Sequence, residues 1–243
     1  MKRTSRARAA WLAVVGLLAS TLMISASAAP ASAAPSLAAG FSRVPTPTGL
    51  APGRLVNFEF LPSDEMLAIG KCGEIRRVSP DGTSVALPTL DVNCVADRGL
   101  LGFDLADDFD ATGNVYTLYT YDRPDGKVWA RLTRWTLDDV NAPTAFTNEQ
   151  VIVDDLPSFS PTGASCDDSH TIGTVAVASD GSVFFGNGDG SSYCSVDAGA
   201  LEALDVTSPR GKVFRVNPDG SGVASNPFFE TGDPYSWQSR VYA

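Results

Sequence analysis

The sequence is short of histidine, of basic residues and of cysteines spaced for metal binding. Its 243 residues include one histidine, His170, and 18 Lys and Arg against 28 Asp and Glu, a net charge of −10. This acidic balance argues against the basic surfaces that bind nucleic acid or anionic membranes. The four cysteines show no C-x-x-C spacing and only one histidine could assist them, so zinc is disfavoured. No apolar segment of membrane-spanning length follows the N-terminal region, which argues against a transmembrane anchor later in the chain.

The N-terminus has the pattern of a secretory signal peptide. A basic start that ends at Arg8 precedes an apolar stretch over residues 9–26, and Ala-Ser-Ala cleavage sites follow. The stretch is short for a membrane span of about 20 residues, so we expect cleavage rather than anchoring. We expect residues 1–33 to be the signal, residues 34–52 a Pro/Ala-rich lead and residues 53–243 the folded part of an extracellular protein. Four basic residues and no acidic ones lie in the signal, so the remainder carries a net charge of −14.

All four cysteines lie in the exported part of the chain. An even number of cysteines in an oxidising compartment predicts two disulfides, for which three pairings exist. We favour Cys72–Cys94 and Cys166–Cys194, because each of these pairs closes a local loop of modest length.

Short runs with apolar residues at every second position dominate the exported part. Alternation of this kind in segments rich in Val, Phe, Tyr and Thr predicts β-strands. The clearest predicted strands are residues 55–60, 115–120, 128–135, 174–177, 183–185 and 212–216. The main helical candidate is short, Ala198–Leu204. The sequence therefore predicts an all-β protein.

Four Asp-Gly turns separate these strands, at residues 81–82, 125–126, 180–181 and 219–220. Asp can hydrogen-bond the backbone near it and Gly accepts positive φ, which suits both residues to tight turns. The turns lie 44, 55 and 39 residues apart, close to the length of a four-stranded propeller blade. A β-sandwich could use the same turns, so the spacing favours a β-propeller without excluding a sandwich.

The chain is short for a complete propeller. Roughly 200 residues after the signal suffice for four to five blades of about 45 residues each, and an expected insertion over residues 138–170 lowers that number. The end of the sequence, Ser239–Ala243, resembles a strand with no segment after it to close the ring. We therefore expect an incomplete propeller, truncated at its C-terminus.

His170 lies just before the predicted strand 174–177, and Asp189 follows the predicted strand 183–185. Because a tight hairpin returns the chain to the edge where it started, we expect these two side chains to be neighbours. A carboxylate on one ring nitrogen fixes the histidine tautomer and stabilises the protonated ring, as a general base requires. Simpler interpretations stay open from the residue types alone: a structural or exposed histidine, and an aspartate that only shapes the loop 186–190.

The glycine-rich loop 186–190 fits two ligand-binding motifs poorly. A dinucleotide-binding loop needs a helix after it in a βαβ unit, and residues 191–194 do not open one. A calcium loop is the other interpretation, through Asn187 and Asp189, but its acidic ligand set is incomplete.

Six segments carry a resemblance to a known family: Asp97–Gly102, Ser169–Gly173, Gly188–Gly190, Arg210–Gly220, Asn226–Phe228 and Ser239–Ala243. In this order they resemble the soluble glucose/sorbosone dehydrogenases. Each motif is weak by itself, but the ordered set is fairly specific and covers most of residues 41–243. The resemblance implies a secreted six-bladed propeller that uses pyrroloquinoline quinone (PQQ) with calcium.

The resemblance also implies roles for individual residues. In that family the matching histidine removes the proton from the anomeric hydroxyl of a sugar, and hydride passes to the quinone. His170 would thus be the catalytic base and Asp189 the carboxylate that orients it, with Asp97 and Arg98 near the substrate and cofactor. Calcium would act as a Lewis acid on the cofactor. The implied partners are an aldose and an electron acceptor that the sequence does not identify.

The chain departs from the family pattern in several places. Asp97 stands where other members often have Gln or Glu, and Thr174 where Arg is common. Members carry an Arg-Asn-Pro motif, and most of their cofactor contacts, beyond the point that matches Ala243. PQQ has three carboxylates and needs cations or a metal around it, so we expect this chain alone to hold no cofactor and to be inactive.

Two other functions compete with a sugar dehydrogenase. The first is a non-catalytic secreted propeller that binds carbohydrate or a cell-surface partner. The second is a metal-dependent propeller lactonase, which needs carboxylate or Asn ligands that converge from several blades. The sequence shows no such spaced set of ligands.

Overall fold

The computed structural model describes residues 37–243. The expected signal peptide lies outside the described residues. The chain divides into a unit that ends at Val44 and a unit that runs from Pro45 to Ala243. In the first unit the structure describes residues 37–44. They contain one turn, in which the Phe41 amide donates to the Ala38 carbonyl. None of the described helices is long and apolar enough to span a bilayer.

The second unit consists of three antiparallel sheets. The first sheet contains β1 (Leu55–Phe60), β2 (Met66–Gly70), β3 (Ile75–Val78) and β4 (Ser84–Ala86). The second contains β5 (Leu100–Leu105), β6 (Asn114–Asp122), β7 (Val128–Leu137) and β8 (Phe146–Pro157). The third contains β9 (Ile172–Val177), β10 (Val183–Asn187) and β11 (Lys212–Val216). Short helices occur at α1 (Phe109–Thr112), at a 3₁₀ segment (Ala198–Leu204) and at α2 (Trp237–Arg240).

The first strands of the three sheets are neighbours, since β5 contacts both β1 and β9. At Gly102 of β5 a Cβ atom would lie 2.7 Å from the Val175 side chain, so only glycine allows the sheets to approach this closely. At the other end of β5, the Asp104 carboxylate accepts a 2.7 Å hydrogen bond from the Val177 amide of β9. Sheets that meet through their first strands are typical of neighbouring propeller blades.

Two apolar cores fill the spaces between the sheets. One lies between the first and second sheets and includes Leu67, Leu100 and Phe103. The other joins the second and third sheets and includes the stacked rings of Phe185 and Phe214, whose centroids are 5.0 Å apart. The cores therefore pack the sheets face to face, and the loops lie at the ends of the strands.

The four Asp-Gly turns predicted between strands are present. In each turn the glycine has positive φ and its amide donates to the carbonyl three residues earlier, at 2.8–3.0 Å. Each aspartate accepts a hydrogen bond from the amide two residues after it. All six predicted strands are present, which confirms the all-β class.

Two expectations for the second half of the chain are wrong. The segment 138–170, expected as an insertion, contains β8, which completes the second sheet beside β7. The expected strand Ser239–Ala243 begins inside α2, because the Ser236 hydroxyl accepts from the Ser239 amide and starts a helical turn. Only the last residues pair with β11, where the Tyr242 amide donates to Val213 at 2.8 Å.

Candidate active site

His170 lies at the entrance of β9 in an uncommon backbone conformation. Its φ of 52° is in the left-handed region, which few non-glycine residues occupy. The next loop holds it there, since the Gly190 amide donates to the His170 carbonyl at 2.9 Å and the Gly188 amide donates to Thr171 at 2.6 Å. The side chain is 48% exposed. Backbone strain of this kind is often found at functional sites.

Asp189 lies next to the imidazole, as the hairpin of β9 and β10 predicts. Its Oδ1 atom is 3.3 Å from His170 Nδ1. Ser191 supports the carboxylate with two hydrogen bonds to Oδ1, 2.9 Å from its amide and 2.7 Å from its hydroxyl. Burial acts to raise the pKa of Asp189, but the Ser191 hydrogen bonds and the nearby imidazole outweigh it and lower the pKa. Asp189 is thus an anion that lies beside the Nδ1 atom of His170.

The glycines of this loop are needed for the close approach of the two segments. A Cβ atom on Gly188 would lie 2.1 Å from the His170 carbonyl oxygen. Gly190 has a φ of 65°, and a Cβ there would lie 2.8 Å from the Phe159 carbonyl. Glycine on both sides of Asp189 therefore lets it lie against His170 without a clash with the backbone.

Asp97 approaches the histidine loop from the second sheet. Its carboxylate accepts a short hydrogen bond from the Ser169 hydroxyl. Its backbone is fixed as well, with its amide donating to Asp168 at 3.1 Å and its carbonyl accepting from the Thr171 hydroxyl at 3.1 Å. Asp97 thus lies beside His170, on the side of the loop that precedes β9.

Arg98 turns away from this surface into the protein. It is buried, and its guanidinium donates to the backbone carbonyls of Ser158 and Asp167. The Asp167 carboxylate is 4.0 Å away. The structure brings His170, Asp189 and Asp97 together, whereas the Arg98 side chain holds the loop that leads to His170.

A further carboxylate, Asp197, links the loops on both sides of the site by hydrogen bonds. Asp197 accepts hydrogen bonds from the hydroxyls of Ser160 at 2.6 Å and Thr162 at 2.7 Å, and from the amide of Ser192 at 3.1 Å. These hydrogen bonds lower the pKa of Asp197. The disulfide Cys166–Cys194 joins the same two loops, so the segments that carry His170 and Asp189 are tied together twice.

An open cleft of about 500 Å³ lies over the histidine. It is lined by Lys71, Asp97, Leu101, His170, Thr171, Ile172 and Gly188. These residues come from all three sheets and their loops. The sequence analysis did not identify Lys71 as a site residue. The one feature of the sequence that could have indicated it is its position next to Cys72, in the tight turn between β2 and β3. The disulfide Cys72–Cys94, the other pairing favoured from loop length, ties this turn to the segment before β5.

These features define a class, an all-β protein of adjoining antiparallel sheets with a histidine–carboxylate pair at an open cleft. The family model described as Glucose / Sorbosone dehydrogenase matches residues 53–243. The chain belongs to the glucose/sorbosone dehydrogenase family. No curated protein sequence matches the chain significantly.

Solved structures share this fold. A glucose dehydrogenase-type oxidoreductase from Thermus thermophilus is 25% identical, with a TM-score of 0.60 over 77% of this chain and 50% of that chain. The PQQ-bound aldose sugar dehydrogenase of Streptomyces coelicolor is 25% identical, with a TM-score of 0.60 over 78% and 51%. The apo-form of the soluble aldose sugar dehydrogenase of Escherichia coli is 22% identical and similar in fold, with a TM-score of 0.62 over 77% and 50%. The chain spans about half the length of these structures.

The described residues do not by themselves fit PQQ, whose three carboxylates need several cationic partners, because Lys71 is the one Lys or Arg that lines the cleft. Like Arg98, the other buried cations near the site already donate inside the protein. Arg210 donates to the carbonyls of Phe159 and Asp189, at 2.6 and 2.8 Å, and Lys212 donates to the carbonyls of Ala203 and Arg210, at 2.7 and 2.8 Å. Within residues 37–243 no cluster of three metal-ligating side chains occurs either. We therefore assign no reaction step through the cofactor.

Proposed function

We propose that the full-length protein is a secreted, PQQ-dependent dehydrogenase that oxidises an aldose at its anomeric carbon. The observation that carries the proposal is the His170–Asp189 pair, 3.3 Å apart at an open cleft, in a chain of the glucose/sorbosone dehydrogenase family. The PQQ-bound state of the Streptomyces coelicolor structure supports this choice of cofactor. In this proposal the three sheets are blades of a six-bladed propeller.

The part of the reaction proposed for this chain is proton transfer. Oxidation of the sugar removes the proton of the anomeric hydroxyl and a hydride from the carbon that bears it, and PQQ, when bound, would supply the hydride acceptor. His170 accepts the proton on Nε2, the ring nitrogen opposite Nδ1, and becomes positively charged. Asp189 keeps Nδ1 protonated beforehand, so that Nε2 is the free base, and it stabilises the charged ring afterwards.

Asp97 and Arg98 have different parts in this proposal. Asp97 lines the cleft and can accept a hydrogen bond from a sugar hydroxyl. Arg98 does not contact the sugar. Its buried guanidinium donates to backbone carbonyls and so positions the loop before His170. In this proposal the cofactor and its calcium are bound mostly by groups other than Arg98, Arg210 and Lys212, so residues 37–243 alone would be inactive.

The test is reconstitution of the full-length gene product with PQQ and calcium, followed by aldose-dependent dye reduction. His170→Asn is the variant of choice, since Asn tolerates the left-handed backbone at this position but cannot act as the base. We expect the rate to fall about 10²–10⁴-fold. Bound PQQ with no activity on any aldose contradicts the reaction, and retained activity in His170→Asn contradicts only the base assignment.

A further inference from the structure

The cleft over His170 contains one cationic side chain, Lys71, to which neither the family match nor the sequence assigns a role. Among the residues that line the cleft, Asp97 and Lys71 are the fully charged ones. The two come from different sheets, Asp97 from the segment before β5 and Lys71 from the turn after β2. A donor and an acceptor therefore lie in the same cleft as the base.

Lys71 is held by its backbone, so its position does not depend on its ammonium group. Its amide donates to the Arg54 carbonyl at 2.9 Å, and its carbonyl accepts from the Leu100 amide at 2.8 Å. The neighbouring Cys72 is bonded to Cys94. Gly99 leaves room for the lysine stem, since a Cβ there would lie 2.8 Å from Lys71 Cγ. The Lys71 stem thus packs closely against Gly99, two residues after Asp97.

The ammonium group of Lys71 keeps donor capacity for a ligand. It donates one short hydrogen bond to the carbonyl of Ala96, a residue with a positive φ of 49°. An ammonium has three N–H donors, so two remain. Arg98 and Lys212, by contrast, are buried and bonded to backbone carbonyls.

We propose that Lys71 is a substrate-contacting residue that, with Asp97, binds a pair of hydroxyl groups on the sugar whose anomeric hydroxyl faces His170. Lys71 donates to one hydroxyl oxygen and Asp97 accepts from the other. The two side chains carry opposite charges that balance, so the pair suits a neutral polyol. This inference rests on the proposed function for the identity of the ligand.

The test uses the full-length protein reconstituted with PQQ and calcium, and it has two readouts. The first is the rate at which an acylating reagent modifies Lys71, measured by mass spectrometry with and without saturating aldose and without dye. The second is the steady-state kinetics of Lys71→Met, with Lys127→Met as control. The Lys127 ammonium lies 4.5 Å over the Phe159 ring and is not part of the cleft.

We expect aldose to slow the acylation of Lys71 and not that of Lys127. We expect Lys71→Met to raise KM for the aldose about tenfold or more with kcat nearly unchanged, since a charge-assisted hydrogen bond to bound substrate is lost. Lys127→Met should behave as the wild type.

The outcomes separate the two proposals. Unprotected Lys71, or an unchanged KM in Lys71→Met, overturns the contact even when the wild type oxidises aldoses. Protection of Lys71 without any aldose-dependent dye reduction supports the contact and overturns the proposed reaction. A Lys71→Met variant that only melts at a lower temperature shows that Lys71 supports Ala96 alone, and this also overturns the contact.

Discussion

Replacing Asp189 with asparagine removes the negative charge beside His170 and keeps the size of the side chain. The distance between Asp189 Oδ1 and His170 Nδ1 is 3.3 Å. At this distance the attraction between a carboxylate and a protonated imidazole is about 5 kcal/mol at a dielectric constant of 20 and about 1.3 kcal/mol at that of water. The His170 side chain is 48% exposed, so solvent screening puts the value at the lower end.

A loss of about 1.3 kcal/mol corresponds to a tenfold fall in rate. We therefore expect Asp189→Asn to lower kcat for the aldose about tenfold in the reconstituted full-length protein, with little change in KM, because the charged ring forms only as the proton moves. The assay is aldose-dependent dye reduction at saturating sugar. Thermal unfolding shows whether the variant is folded.

Asp205→Asn is the matched control. Asp205 is also an aspartate whose pKa is lowered, in this case by hydrogen bonds from Thr207, but it does not line the cleft. A kcat within about twofold of wild type in a folded Asp189→Asn protein would refute the orienting role. An equal loss in both variants would show that the effect is general and does not come from the pair.

Three further predictions concern stability. Replacing Cys72 and Cys94 together with serine opens a loop with a separation of 22 residues and should lower the free energy of unfolding by about 3 kcal/mol in urea titrations; an unchanged urea midpoint would refute this. Gly188→Ala places a methyl group 2.1 Å from a backbone carbonyl and should cost about 1–3 kcal/mol, so a melting temperature equal to wild type would contradict the required close approach. Hydrogen bonds from the hydroxyl and amide of Thr144 lower the pKa of Asp138 from 3.8 to about 2, so its stabilisation of the turn is complete above pH ~4 and is lost as the pH falls toward ~2. The protection of the amides in that turn, measured as their exchange rate relative to the intrinsic rate at each pH, should fall over this window, and constant protection would contradict the prediction.

The strands and turns of this protein follow from local sequence. Alternation over 55–60 and 212–216 matches β1 and β11, and the Asp-Gly turns adopt the predicted hydrogen bonds. Local patterns were insufficient where a strand is buried on both faces, as in β2, because its residues are all apolar or small and show no period. They also failed for β8, whose polar residues 147–150 resemble a loop until β7 pairs with them.

The sequence by itself determined that His170 and Asp189 are neighbours. One hairpin joins His170 and Asp189. Because the two ends of a hairpin lie side by side, the proximity of these residues follows from the local sequence. Only the tertiary structure decided what surrounds them. Asp97 and Lys71 reach the cleft because β1, β5 and β9 pack side by side. Arg98 faces inward, where its guanidinium donates to the backbone of the loop before His170. Contacts between separate sheets depend on how their cores pack, and no pattern within a single segment encodes that.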